Sequence, residues 1–309
     1  MWNPDRLRSI KPSMVATLLI GVTSCIGYRL YTGDTRTITR AAESVETSSQ
    51  GGVLLSLSFP DEVIDTWHGY ERHRFLFHGQ HAWVVCPKTV VPERPWSWCM
   101  MFPDAFPQRC CAPQLLKAGF HHVYLNVGNT FGCPKAIEQL AAFQKELVRR
   151  GLARKASLIG ISRGGLYALR YANEYPDNVR VIYGDNPVCD FKSWPGGKGT
   201  GKGSPRDWLS CMKLYGFKNE SEAMLYSGNP VDSLLRLVNH NIAMIHVIGE
   251  QDKVVPPSEN ALLVEARYKK LGGTIVVIKD KEKGHHPHGL EDPSPVVNFI
   301  VQQMTTLPE

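Results

Sequence analysis

The spacing of apolar residues changes character about a third of the way along the chain. Apolar runs of strand length occupy residues 53–59, 73–77, 82–86, 96–102 and 122–127. The first of these alternate and are joined by short polar links such as Gly79-Gln80, a pattern that predicts antiparallel hairpins. Beyond them the rhythm becomes mixed. Residues 136–149 carry Ile137, Leu140, Ala141, Phe143 and Leu147 at helical spacing, and 157–161 is a short buried strand. Residues 166–175 are helical, 180–183 and 242–248 are strands, 261–271 is helical, 274–279 is a strand, and 296–304 is a closing helix.

Strands that alternate with helices require crossover connections. These put a mostly parallel sheet between two layers of helices. The predicted class is therefore α/β, with an antiparallel meander feeding the sheet. Residues 191–238 interrupt the alternation with the glycine-rich stretch Gly196-Gly197-Lys198-Gly199-Thr200-Gly201-Lys202-Gly203 and then short helical pieces, which reads as a small cap insertion over a site. There is no internal repeat.

The first thirty residues stand apart. Arg6, Arg8 and Lys11 precede an apolar run that starts at Met14. It extends for ~15 residues against the ~20 that a spanning helix needs, so it fits a signal-peptide core or an uncleaved anchor. Val22-Thr23-Ser24-Cys25 also resembles a lipoprotein processing site, which would lipidate Cys25. Residues 1–30 are thus expected to be an export signal or a membrane or lipid anchor, 31–52 a Thr/Ser/Gly/Ala-rich tether, and 53–309 the folded domain. Export would place that domain in a periplasmic or extracellular setting, with membrane association possible only through the N-terminal segment.

Composition narrows the partners. Hydrophobic residues at 43% and charged residues at 21% suit a globular chain with a real core. The net charge of +6 is spread out, and no clustered Lys/Arg tract points to nucleic acid. The mild excess is compatible with acidic substrates such as uronic-acid polymers, but an ordinary solvated surface with slightly more Lys than Glu is the favoured reading. Of the eight cysteines, the neighbours Cys110 and Cys111 cannot easily bond each other, and no C-x-x-C pair suggests structural zinc.

The chemistry concentrates in three places. Gly160-Ile161-Ser162-Arg163-Gly164-Gly165 lies between a predicted strand and a predicted helix, the setting a G-x-S-x-G nucleophile elbow requires. The glycines let the backbone close tightly around a strained serine. The bland alternative is a glycine-rich turn with a hydroxyl helix cap. A nucleophilic Ser162 needs a base, and the base needs an orienting acid. Gly249-Glu250-Gln251-Asp252-Lys253-Val254-Val255-Pro256 follows a strand and offers Asp252, with Glu250 as local competitor and Asp185 as a distant one. The loop Gly284-His285-His286-Pro287-His288 offers His285 as base, His286 as runner-up and His288 as support. Three histidines in one loop also invite a metal, but no cysteine lies nearby, and the expectation is a site with neither metal nor cofactor.

Together these segments resemble the α/β-hydrolase superfamily over roughly residues 60–305, in the branch related to prolyl-oligopeptidase-like and carbohydrate-esterase hydrolases. The G-H-x-P form of the histidine loop in that group favours His285. The resemblance implies an oxyanion hole made by the backbone N–H of Arg163 and a second donor from the loop 102–106, beginning at Phe102. The lipase HGGG signature is absent, and Arg163-Gly164-Gly165 departs from many esterases, so the motif does not set the substrate. Gly196-x-x-x-x-Gly201-Lys202 imitates a phosphate-binding loop, but Gly203 stands where Ser or Thr should hold Mg²⁺ and no buried strand precedes it. Trp96 and Trp98 read as core residues. Trp194 and Trp208 sit in the insertion, where aromatics either stack on sugar or acyl groups or fill a core. The expected activity is ester hydrolysis through an acyl-enzyme on a small-molecule or glycan ester. A prolyl-oligopeptidase-like peptidase and a non-catalytic binding protein are the alternatives.

Overall fold

Two His-Gly pairs turn the chain in the first strands of the described residues. His68-Gly69 (φ 48° and 80°) and His78-Gly79 (φ 47° and 78°) both have the double positive φ of a two-residue hairpin turn whose twist matches its strands. They join β1 (Val63–Trp67), β2 (Tyr70–Phe77) and β3 (Gln80–Val85) into an antiparallel meander. The computed structural model describes residues 57–305. The expected export segment, the tether, Cys25 and residues 53–56 lie outside these described residues.

The sheet continues through β4 (Trp96–Cys99), β5 (His121–Leu125), β6 (Ala156–Ile161), β7 (Val179–Asp185), β8 (Ala243–Gly249) and β9 (Ile275–Asp280). Its nine strands lie in the order β1-β2-β3-β5-β4-β6-β7-β8-β9, parallel from β5 onward. The parallel strands are apolar on both faces because helices cover both. Leu158, Ile182 and Met244 point into one layer with α2 (Pro134–Arg149), α3 (Gly164–Glu174) and α7 (Ala261–Lys270). Their neighbours Ile159, Val181 and Ile245 point into the other, with α1 (Ala112–Lys117) and α8 (Ser294–Thr305). The sheet is thus the mostly parallel, two-sided α/β sheet that the alternation predicts.

Two strand expectations are corrected, and one open alternative is decided. Of the strand expected over 53–59, the described part Leu57–Phe59 is irregular, with Phe59 stacked flat on Phe75 at 3.8 Å, and β1 begins at Val63. The strand expected over 96–102 stops at Cys99. The chain must leave the sheet there, and Phe102 turns it with φ 60°. Trp208 does not present a face to ligand. It is 5% exposed, packs near Phe191 and hydrogen-bonds Glu220.

The insertion between β7 and β8 carries α4 (Pro205–Tyr215), α5 (Glu220–Leu225) and α6 (Leu235–Asn239). Its aromatic cluster of Phe191, Tyr215, Phe217 and Tyr226 packs into the main core. The seven described cysteines are free. No helix among the described residues is long and apolar enough to cross a membrane.

Candidate active site

The carboxyl ends of the parallel strands carry the site, as open α/β sheets dictate. Ser162 sits between β6 and α3 with φ 50°, a left-handed conformation that costs a non-glycine residue free energy. Backbone bonds hold it there. Its N–H donates to Asp185 O at 2.8 Å, and its carbonyl accepts from Gly165 N at 2.9 Å and Val188 N at 2.8 Å. The flanking glycines are steric necessities. A Cβ on Gly165 would come within 2.6 Å of Pro187 Cβ and 2.7 Å of Val188 O, and one on Gly160 within 3.0 Å of Gly164 O.

Ser162 Oγ lies 2.9 Å from His285 Nε2, and His285 Nδ1 lies 2.7 Å from Asp252 Oδ2. With Nδ1–H donated to the carboxylate, Nε2 is left as the acceptor that faces the serine hydroxyl. Asp252 is buried, and its second oxygen accepts from Val254 N at 2.8 Å and Val255 N at 2.9 Å. The loop after β8 therefore presents the carboxylate in one orientation. Glu250 is exposed and takes no part in this relay.

Asp185, the distant competitor, belongs to a second pair. It accepts from His288 Nδ1 at 2.6 Å, from Gly289 N at 2.9 Å and from Tyr183 OH at 2.7 Å. His288 thus fastens the histidine loop to the tip of β7. His286, the runner-up base, is largely exposed, and partial desolvation of its ring with the neighbouring His288 and His285 lowers its pKa. The ring nitrogens of His285, His286 and His288 lie within 4.8 Å of one another. A metal bound through His285 would have to break the relay, because both of its nitrogens are engaged.

The backbone N–H groups of Arg163 and Phe102 donate to no backbone carbonyl outside the regular elements among the described residues. Phe102 also lines, with Ser162, His285 and His286, a small cavity of about 280 Å³ over the serine. The Arg163 side chain braces this loop. Its guanidinium lies 5.3 Å from the Phe102 ring, 5.4 Å from Phe131 and 5.4 Å from Trp194, with Asp207 at 3.7 Å. A larger cavity of about 690 Å³ opens beside Asp252, lined by Trp194, Lys202, Lys253 and Pro256.

Sequence reasoning missed one positioning residue, Asn186. Its Oδ1 accepts from Gly249 N at 2.8 Å, and its Nδ2 donates to His285 O at 3.1 Å. It ties the end of β8, just before the acid loop, to the histidine loop. Its only signal in the sequence is its place just after a strand that ends in Asp185.

No family model matches the chain, and no curated protein does. Solved structures do. An acylaminoacyl peptidase from Pyrococcus horikoshii aligns at TM-score 0.54 and 14% identity, over 80% of this chain and 42% of that one. A puromycin-hydrolyzing peptidase from Mycobacterium tuberculosis aligns at 0.54 and 17%, over 72% of this chain and 36% of that one. The 2,6-dihydroxy-pseudo-oxynicotine hydrolase aligns at 0.56 and 16%, over 76% and 68%. The chain spans less than half the length of the two peptidases. At these identities the likeness fixes the fold, which is that of the α/β hydrolases.

Proposed function

We propose that this chain of α/β-hydrolase fold is a serine hydrolase that cleaves a carboxylic ester through an acyl-enzyme. The observation that carries the reading is the unbroken line Ser162 Oγ, His285 Nε2, His285 Nδ1, Asp252 Oδ2, with steps of 2.9 and 2.7 Å. In the first half-reaction His285 takes the Ser162 proton as Oγ attacks the ester carbonyl, and returns it to the leaving alcohol as the C–O bond breaks. Asp252 stabilises the imidazolium formed between these steps. The oxyanion rests on the Arg163 and Phe102 amides. Water then attacks the acyl carbon, with the same imidazole as base.

The preferred substrate class is an acylated or methylated side chain of a polysaccharide, met outside the cytoplasm if residues 1–30 direct export. Lys202 and Lys253 beside Trp194 in the larger cavity suit a sugar ring bearing acidic groups. Amide cleavage is the second reading. It is favoured by two of the structures of similar fold, an acylaminoacyl peptidase and a puromycin-hydrolyzing peptidase.

A fluorophosphonate probe tests the serine. Labelling of the wild type and none of Ser162→Ala is expected, whereas equal labelling of both would sink the assignment. Turnover of aryl and glycan esters against aminoacyl amides then separates the two readings.

A further inference from the structure

We propose a second site, unrelated to the hydrolase reading, in which Glu71, His73 and Cys86 bind a divalent transition-metal ion of the zinc class. Glu71 and His73 are two residues apart on β2 and therefore project from one face of the sheet. Cys86 is set opposite Glu71 by the bond from Cys86 N to Glu71 O at 2.9 Å. The ladder thereby brings a carboxylate, an imidazole and a thiol together, with their ligand atoms within 4.8 Å of one another. His73 Nε2 already lies 3.1 Å from Glu71 Oε1.

The rest of the neighbourhood is arranged as metal-binding histidines require. An imidazole that ligates through one nitrogen almost always donates the other to a carboxylate or carbonyl, which fixes its ring and raises its basicity. His73 Nδ1 meets Glu62 Oε2 at 2.8 Å, and that oxygen is itself held by Phe59 N at 3.0 Å. The His73 side chain is only 6% exposed, so the ring is fixed, while Glu71, at 60% exposed, meets it from the solvent side. On the strand beside β3, buried His121 adds an Nδ1 with no hydrogen-bond partner, next to the His122 that pairs with Val85.

Three protein ligands of types S, N and O with water in the fourth position make a tetrahedral zinc set. Closing the set exchanges the contact between Glu71 Oε1 and His73 Nε2 for a bond from each to the ion. As the bonds to sulfur and nitrogen form, the Cys86 thiol and the His73 Nε2–H both give their protons to solvent. The cluster lies where β3 meets the beginning of β5, so it sits at the opposite end of the parallel strands from Ser162.

The test uses the tag-free full chain titrated with Zn²⁺ alone by calorimetry, and with Co²⁺ followed by absorption. One equivalent should bind. The Co²⁺ form should show a near-ultraviolet thiolate-to-metal charge-transfer band that is missing in Cys86→Ser. Glu62→Gln should weaken Zn²⁺ about tenfold to a hundredfold, and His73→Gln at least as much. If His73→Gln does not fold, Cys86→Ser decides alone, since serine conserves size. Absence of stoichiometric binding, a band that survives Cys86→Ser, or a complex without the band that His286→Ala abolishes would each overturn the proposal.

Discussion

Three histidines buried as neutral rings make this fold sensitive to mild acid. Burial pushes His121 down to about 4, with Arg94 adding to the effect; it takes His122 to about 3 and His246 to about 4. In the unfolded chain each would titrate near 6.5. The unfolded state therefore binds more protons than the native state between about pH 6.5 and 4, and stability falls as pH falls through that window. Going from pH 7 to pH 5, each of the three costs about 2 kcal/mol. His73 runs the other way. Its hydrogen bond to Cys86 and, against the opposing effect of burial, its bond to Glu62 raise it to about 9. Its stabilisation is complete below 6.5 and is lost as pH rises towards 9, so it returns about 1 kcal/mol over the same interval. The net loss is about 5 kcal/mol, comparable with the whole stability of a modest domain. Guanidinium unfolding at pH 7, 6 and 5 reads this as a falling midpoint. His246→Leu removes an imidazole with neither nitrogen satisfied, and should cut the loss by about 2 kcal/mol. A midpoint that holds steady or rises on acidification would refute the reasoning.

Asp252→Asn places an amide against His285 Nδ1 and favours the wrong tautomer, so kcat on an ester should fall by about 10⁴ with KM little changed, as steady-state kinetics will show. Asn186→Ala cuts the tie from Gly249 to His285. It should lower kcat on the order of 10²-fold, and the buried Gly249 N–H left unpaired should cost about 1–3 kcal/mol of stability; a KM effect alone would contradict a positioning role. Gly165→Ala drives a methyl into Pro187 and Val188 and should cost about 1–3 kcal/mol in chemical denaturation, with loss of probe labelling at Ser162. Tyr167→Phe removes the hydroxyl that accepts from Thr130 N at 2.7 Å and Phe131 N at 2.8 Å. Thr130 N keeps Gly128 O at 3.0 Å, but the Phe131 amide is left unpaired, for a loss of about 1–3 kcal/mol in the same assay.

The parallel half of the sheet was readable because its strands are short apolar runs buried on both faces, with amphipathic helices such as 136–149 between them. The edge was not. In β1, Val63, Ile64 and Thr66 are exposed and only Trp67 is buried, so neither alternation nor an apolar run marks the strand. Its pairing partner and the His68-Gly69 turn create it. The helix Ala112–Lys117 escaped for a related reason: six residues give under two turns, too few for a period to be seen. The aromatics of the insertion stayed undecided because a helix packed inward and one that offers rings to a ligand carry the same spacing. In α4, Trp208 and Cys211 are three apart and both buried.

The histidine loop shows where local sequence stops and topology decides. Three imidazoles lie within four residues, and two aspartates were candidates for the acid. Side-chain chemistry alone permits several assignments. The fold settles the geometry by sheet position: Asp252 lies beyond the end of β8 and reaches His285, while Asp185 closes β7 and takes His288. One loop therefore carries two Asp–His pairs. The first faces Ser162 and has a nitrogen left for a proton, while the second fastens the loop that holds the first. His286, between them, meets neither aspartate and projects towards solvent, so adjacency in sequence to the base says nothing of its role. The residue that makes the distinction rigid is Asn186, next in the chain to Asp185 and bonded to both loops. A motif search passes over it because its function lies in the distance between two other motifs.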